Sequence, residues 1–210
     1  MPIGCIIFDL DGTLVESEEL CNQAFLDLLP HLDDTRQSLI RRYRGLKLSH
    51  ILSDIENRTG EKLPATFEAA YRRRVSDLFS THLRPVEGVI SMLEGLPTPR
   101  CVASSAPRSK IQQALTVSGL SRFFEDRVFS SYEVGFWKPH PGLFLHAASA
   151  MGFSPPQCAV VEDSAVGIKA ALAAGMTAFH YQPDEDLSFA DGAISFSKMS
   201  RLPGLLELAG

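Results

Sequence analysis

The sequence predicts an α/β fold in which a parallel sheet is covered by helices on both faces and interrupted by one helical insertion. Five short runs rich in β-branched and aromatic residues show no alternation of apolar and polar residues, which is typical of strands buried on both faces. Helical patterns lie between the later runs, and a repeated strand–helix order favours a parallel sheet. One long segment without strand-like runs breaks this order.

The predicted elements follow one another regularly along the core. The strands are expected at Ile3 to Leu10, Arg100 to Ser104, Arg127 to Ser130, Cys158 to Glu162 and Thr177 to Tyr181, with a candidate edge strand at Ala193 to Phe196. The helices are expected at Ser109 to Val117, Pro141 to Met151 and Ala165 to Ala174, each closed by a glycine at Gly119, Gly152 or Gly175. This order predicts a doubly wound, Rossmann-like core.

The insertion follows the first strand. Its residues are rich in helix formers, and apolar side chains recur at helical spacing, as at Phe25, Leu28 and Leu29. The chain is expected to re-enter the sheet near Pro85. The predicted organisation is a core of residues 1–15 and 85–210 with an inserted helical cap of residues 16–84.

Composition and charge exclude several classes of function. The 210 residues carry a formal net charge of −5, so no general positive field attracts nucleic acid. No apolar run approaches the roughly 20 residues of a membrane span, and the first residues lack the pattern of a secretory leader. The four cysteines are dispersed without a C-x-x-C pair, which favours a reducing compartment. We expect a cytoplasmic, monomeric protein with a small-molecule partner and no nucleic-acid or membrane partner.

Two carboxylates follow the first predicted strand. Asp9 and Asp11 precede Gly12 there, and α/β sheets bind ligands at the carboxyl ends of their strands. If Asp9 ends the strand, it can face a substrate phosphorus while Asp11 reaches the leaving or entering oxygen. A solvated Asp-Gly turn is the alternative.

The second and third strands are followed by groups that can bind an anion. Ser104 and Ser105 offer hydroxyls, and Pro107 suits a helix start whose free amides favour anions. Lys138 precedes Pro139 and therefore lies in an extended or turn segment. A purely structural helix start and a surface lysine are the alternatives.

The fourth strand runs into two adjacent acids, Glu162 and Asp163. Buried acids are costly without partners, so a cation is expected beside them. An N-cap role for Asp163 is the alternative. Candidate residues at the ends of four strands together favour a single functional site over four unrelated structural features.

This ordered set resembles the haloacid dehalogenase superfamily, in the phosphatase branch with a helical cap after the first strand. The matching motifs are D-x-D-G-T-L at Asp9 to Leu14, serine at Ser104, lysine at Lys138 and E-D-S-x-x-G at Glu162 to Gly167. The resemblance covers nearly the whole chain. It implies a Mg²⁺-dependent phosphatase.

The resemblance also implies a role for each motif residue. Asp9 would attack phosphorus and form an aspartyl-phosphate, and Asp11 would protonate the leaving alcohol and then activate water. Ser104 and Lys138 would hold phosphoryl oxygens. The implied Mg²⁺ ligands are Asp9, the backbone carbonyl of Asp11 and Asp163, with Glu162 as a supporting or direct ligand.

Asp11 narrows the reaction within the superfamily. Dehalogenases and phosphonate-cleaving members lack this second aspartate, so hydrolysis or mutase transfer of phosphate esters remains. Mutases resembling β-phosphoglucomutase carry a histidine about twelve residues after the nucleophile, where this chain has Cys21. The difference favours a phosphatase, with a mutase as the alternative. A catalytically silent binding protein is a third hypothesis, which the presence of Asp9 and Asp11 disfavours.

A basic turn in the insertion is expected to contact the substrate. Arg44 and Lys47 can bind a second anionic group such as a carboxylate, with Gly45 between them. A solvated basic face is the alternative. The remaining candidates for substrate binding are Thr13 and Ser105. The run from Arg44 to Leu48, with Gly135 to Pro139, looks like bacterial phosphatases acting on 6-phosphogluconate, so a phosphosugar or sugar-acid phosphate is the expected substrate.

Overall fold

A parallel sheet organises the chain. The computed structural model describes residues 2–183 and 192–210, and within these ranges six strands pair in the order β3-β2-β1-β4-β5-β6. The strands are β1 Cys5–Phe8, β2 Arg100–Ser104, β3 Val128–Ser130, β4 Cys158–Glu162, β5 Thr177–Tyr181 and β6 Ile194–Phe196. The predicted α/β class and the edge strand are confirmed. The strand order reverses between β1 and β4, where open α/β sheets bind their ligands.

Helices connect the strands. They are α1 Glu18–Leu28, α2 Arg36–Tyr43, α3 Leu48–Thr59, α4 Phe67–His82, α5 Val89–Gly95, α6 Arg108–Val117, α7 Ser121–Phe124, α8 Ser131–Val134, α9 Gly142–Ala150, α10 Ala165–Ala173 and α11 Leu202–Ala209. The three helices predicted in the core, α6, α9 and α10, begin and end within one residue of the expected bounds. Among the described residues, none of these helices combines the length and the apolar character needed to cross a bilayer.

The first strand is shorter than predicted. Pairing ends at Phe8, because the Leu10 carbonyl accepts hydrogen bonds from the amides of Leu14 and Val15 in a turn. The Asp9 amide still donates to the Val161 carbonyl at 2.9 Å, so Asp9 stays beside β4. The turn after β1 therefore begins at Asp9, the first candidate catalytic residue.

Two apolar clusters lie on opposite faces of the sheet. Cys5 and Ile7 belong to the cluster that includes α9 and α10, and Ile6 and Phe8 belong to the other. All four side chains are fully buried. Burial on both faces is the reason why the strand runs show no polar alternation.

Residues 16–84, called the helical segment below, contain α1 to α4. The Phe25 ring stacks on Tyr71 of α4 with 4.2 Å between ring centroids. The two connections to the sheet run side by side: the Glu16 amide donates to the Arg84 carbonyl at 3.0 Å, and the Val86 amide donates to the Leu14 carbonyl at 3.0 Å. The segment thus leaves and re-enters the sheet through one narrow double connection.

Candidate active site

One large cavity lies between the carboxyl ends of the strands and the helical segment. Its volume is about 630 Å³. The sequence-predicted residues on the sheet side that line it are Asp9, Asp11, Ser104, Lys138, Glu162 and Asp163. Ser105, Gly45 and Lys47 line it as well. The structure thus brings together residues that lie far apart in the sequence.

Lys138 joins two of the acids. Its Nζ lies 2.5 Å from Oδ1 of Asp9 and 2.6 Å from Oε2 of Glu162, and its side chain is only 3% exposed. Burial by itself would lower the pKa of Lys138, but Asp9 and Glu162 raise it above its usual value. The lysine is therefore a buried ammonium group shared between two carboxylates.

The other oxygen of Glu162 holds the loop after β4. Oε1 accepts hydrogen bonds from the amides of Asp163 at 3.1 Å and Ser164 at 2.9 Å, and from the Ser164 hydroxyl at 2.8 Å. A Cβ added at Gly167 would lie 2.0 Å from the Glu162 carboxyl group, so glycine is needed there. This packing is the physical reason for the E-D-S-x-x-G pattern.

Three buried acids form a cluster suited to a metal ion. Asp9, Glu162 and Asp163 each offer an oxygen, and these atoms lie within 4.8 Å of one another. Oδ2 of Asp163 has no hydrogen-bond partner among the described residues, and it lies 3.6 Å from Nε of Arg44. Burial, with Glu162 and Asp9 nearby, raises the pKa of Asp163 well above its usual value. An oxygen without a hydrogen bond in a buried acidic cluster fits a hard cation such as Mg²⁺.

Gly12 permits this approach of the two loops. Its φ is +78°, a left-handed conformation that favours glycine, and an added Cβ would lie 2.3 Å from Oδ2 of Asp163. The glycine of the D-x-D-G run thus has a steric role at the acidic cluster.

Asp11 is held by two donors. The Ser17 hydroxyl donates to Oδ1 at 2.5 Å, and Lys110 Nζ lies 2.9 Å from both carboxylate oxygens. Burial acts to raise the pKa of Asp11, but Lys110 and Ser17 outweigh it and hold that pKa below its usual value. Asp11 rests in this structure as an ion-paired carboxylate.

The two cations of the basic turn, Arg44 and Lys47, have different partners. Arg44 extends towards Asp163, whereas Lys47 borders the cavity with its Nζ 3.7 Å from the centroid of the Trp137 ring. Gly45 has φ +76°, and an added Cβ would lie 2.6 Å from Val166, so glycine lets the turn approach the core. The turn therefore contacts both the acidic cluster and the cavity.

The predicted hydroxyls differ in their surroundings. Ser104 is buried, and its Oγ accepts a hydrogen bond from the Ala106 amide at 3.1 Å. Ser105 is half-buried at the cavity wall. Thr13 is fully buried, and its Oγ1 has no hydrogen-bond partner among the described residues.

Comparison with known proteins identifies the family. Residues 6–180 match the model of the haloacid dehalogenase-like hydrolases. The chain belongs to this family. A 6-phosphogluconate phosphatase of Escherichia coli K12 is 32% identical over an alignment of 213 positions that covers 99% of this chain and 96% of that protein. A fructose-1-phosphate phosphatase of the same strain is 29% identical over 177 residues, which cover 82% of this chain and 93% of that protein.

Solved structures agree with this assignment. A haloacid dehalogenase-like protein of unknown function from Agrobacterium tumefaciens superposes with a TM-score of 0.85 and 31% identity, over 98% of each chain. This haloacid dehalogenase-like hydrolase thus resembles bacterial sugar-phosphate phosphatases in sequence. Its fold is that of a solved haloacid dehalogenase-like protein.

Several residues that line the cavity of this hydrolase were not among the candidates from the sequence. Lys110 contacts Asp11, and Glu18 of α1 lines the cavity, where burial and Asp11 raise its pKa to about 7. Arg72 of α4 donates to the Tyr132 hydroxyl at 2.8 Å, and both residues line the cavity. These residues have no local motif, because their roles depend on how α1, α4 and α6 pack over the strand ends.

Proposed function

We propose that this hydrolase is a Mg²⁺-dependent phosphatase that releases phosphate from a small phosphorylated sugar or sugar acid through an aspartyl-phosphate on Asp9. The observation that carries the proposal is the surroundings of Asp9. Asp9 lines the cavity, and its carboxylate lies 2.5 Å from the Lys138 ammonium and within a buried cluster of three acids. A carboxylate nucleophile, a fixed cation and a metal-binding cluster around one cavity supply the positioning that phosphoryl transfer requires.

The chain supplies each step of the chemistry. Asp11 is an ion-paired carboxylate before substrate binds, so it must gain a proton in the substrate complex. Asp9 then attacks phosphorus, the ester P–O bond breaks, and the leaving alkoxide takes that proton from Asp11. Water then attacks phosphorus and transfers a proton to Asp11, which releases phosphate and regenerates Asp9. Lys138 and Ser104 bind the phosphoryl oxygens and stabilise the charge that develops on them.

Asp9, Asp163 and the backbone carbonyl of Asp11 would hold Mg²⁺. When bound, the ion reduces the repulsion between the phosphate and the Asp9 carboxylate. Both oxygens of Glu162 already accept hydrogen bonds, from Lys138 on one side and from the Ser164 loop on the other. We therefore assign Glu162 a supporting role beside the ion.

The helical segment would act as a cap domain and select the leaving group. Lys47 borders the cavity, so we assign to it a carboxylate or second phosphate at the far end of the substrate. Arg44 would serve the acidic cluster instead, since its Nε lies 3.6 Å from Asp163. Ser105 offers a further hydroxyl at the wall. A sugar-acid phosphate such as 6-phosphogluconate has an anion at each end and is our preferred substrate.

Phosphate release from a panel of phosphorylated metabolites, with Mg²⁺ and with a chelator, tests the proposal. The panel includes 6-phosphogluconate, fructose 1-phosphate and both anomers of glucose 1-phosphate. We expect Mg²⁺-dependent release that Asp9→Asn abolishes while the fold is retained. Conversion of β-glucose 1-phosphate to glucose 6-phosphate without release would instead identify a mutase, and turnover by Asp9→Asn would exclude Asp9 as the nucleophile.

A further inference from the structure

We propose that Lys110 is a positioning residue that holds the Asp11 carboxylate in place to transfer protons at the ester oxygen. The inference rests on the proposed phosphatase function and extends it to a residue outside the motifs. Lys110 is the third residue of α6, the helix that begins shortly after Ser104. Its position in the fold brings a lysine to a carboxylate that lies 99 positions away in the sequence.

The contacts restrain Asp11 from two sides. Lys110 Nζ lies 2.9 Å from Oδ1 and 2.9 Å from Oδ2, while the Ser17 hydroxyl donates to Oδ1 at 2.5 Å. A carboxylate with a single partner can rotate about its side-chain bonds, whereas two charge-assisted contacts from different directions hold its plane. The exposed fractions of Lys110 and Asp11 are 23% and 24%, so both side chains reach the cavity.

The helical segment helps to seat Lys110. Its Nζ lies 5.5 Å from the centroid of the Phe79 ring on α4. One turn further along α6, Gln113 donates to the Ser76 carbonyl at 2.9 Å and to the Ser80 hydroxyl at 3.1 Å. Lys110 therefore contacts Asp11 while α4 is packed against α6. Packing of the helical segment on the core is in this way linked to the orientation of Asp11.

This role predicts a dependence on the leaving group. An alkoxide needs a proton to depart, so a misplaced Asp11 slows hydrolysis of a sugar phosphate. The nitrophenolate of p-nitrophenyl phosphate departs without one. Because a displacement of about 1 Å can reduce a rate by about 100-fold, loss of Lys110 should slow single-turnover release of the leaving group much more for the first substrate class than for the second. The later attack of water on the aspartyl-phosphate uses Asp11 with both classes, so this first step is the one to compare.

The test compares Lys110→Met, Lys110→Gln, Asp11→Asn and the double variants of Lys110 with Asp11→Asn on both substrate classes. We expect Lys110→Met to lower the single-turnover rate of alcohol release from the best sugar phosphate by roughly 10- to 100-fold, with a much smaller change in the release of nitrophenolate from p-nitrophenyl phosphate. Lys110→Gln, which retains a donor, should show a smaller loss with the same preference. In the Asp11→Asn background, neither substitution should reduce kcat further, because there is no proton-transferring carboxylate left to position.

The matched control is Lys169→Met, which removes an exposed lysine from α10 and should leave both activities unchanged. Equal losses in the single-turnover release of the two leaving groups, or an effect that adds to that of Asp11→Asn, would overturn the positioning role. If Lys110→Met does not fold, the same comparisons with Lys110→Gln decide. Retained turnover by Asp9→Asn would instead contradict the proposed phosphatase mechanism, so the two failures are distinguishable.

Discussion

The ammonium group of Lys138 lies 2.5 Å from Oδ1 of Asp9, although 129 positions separate the two residues in the chain. Glu162, at 2.6 Å, completes a buried arrangement of one cation between two anions. Removal of one partner from such a group leaves uncompensated buried charge, which is among the most destabilising changes in a protein. The same lysine therefore serves both stability and the proposed chemistry.

Lys138→Met should lower both the stability of the protein and its phosphatase activity. We expect kcat/KM to fall by about 100-fold or more, because the charge on the phosphoryl oxygens loses a fixed cation. In metal-free buffer near neutral pH, we expect the free energy of unfolding to fall by about 3–5 kcal/mol.

Urea denaturation and phosphate release measure these two changes. The stability deficit should shrink as the pH falls, because protonation of Asp9 and Glu162 removes the carboxylate charges that lack a cation in the variant. The control is again Lys169→Met, an exposed lysine on α10. Unchanged stability of Lys138→Met would show that the two carboxylates do not need this cation in the folded state.

Gly167→Ala should disrupt the packing around the Glu162 carboxyl group. The new methyl group would lie 2.0 Å from the Glu162 carboxyl group, so the loop after β4 must shift. We expect a loss of about 1–3 kcal/mol in the free energy of unfolding and reduced activity.

Gly204→Ala in α11 is the matched control, since no described atom lies within 4 Å of its added Cβ. This substitution should be neutral or stabilise the protein by about 0.4–1 kcal/mol. Thermal unfolding followed by circular dichroism compares the two. Equal stability of both variants would contradict the steric role of Gly167.

Mg²⁺ affinity should depend on pH through Asp163. Burial and the neighbouring acids raise the pKa of this carboxyl well above its usual value, so a proton competes with the ion. Affinity should therefore increase with pH, and proton release should accompany binding.

Calorimetric titration with Mg²⁺ at about pH 6 and about pH 8 measures this dependence. Asp163→Asn should remove most of the affinity. A wild-type affinity that is the same at both pH values would argue against Asp163 as the group that gives up a proton to the ion.

Trp137 offers an optical probe of the helical segment. It is the only tryptophan in the sequence, and Lys47 of the helical segment lies over its ring. Lys47→Ala exposes that face of the indole to water, so we expect the emission maximum to move to longer wavelength.

Lys62→Ala is the control, because Lys62 lies on the same segment with its side chain 85% exposed. Its spectrum should match that of the wild type. Identical spectra for Lys47→Ala and the wild type would indicate that Lys47 does not cover Trp137 in solution.

Much of this architecture follows from local sequence. The strands could be located because burial on both faces leaves uninterrupted apolar runs, as in Cys158–Glu162. The acidic motifs could be located because each follows the end of an apolar strand run and resembles a family motif. The structure added the reason for their glycines, since Gly12 and Gly167 meet steric limits set by nearby carboxylates. Strand ends that share one edge of a parallel sheet then brought Asp9, Ser104 and Asp163 to one cavity.

Other features depended on tertiary packing. The contact of Lys110 with Asp11, the turn of Arg44 towards Asp163 and the position of Lys47 over Trp137 join elements distant in the sequence. None has a local signal, since a lysine or arginine in a helix or turn has the same pattern whether it faces solvent or a carboxylate. The sequence by itself determined the strands and the motif residues at their ends. The docking of the helical segment on the sheet decided which cations meet which acids, because Coulomb attraction falls with distance and is strongest between charges that packing brings together away from water.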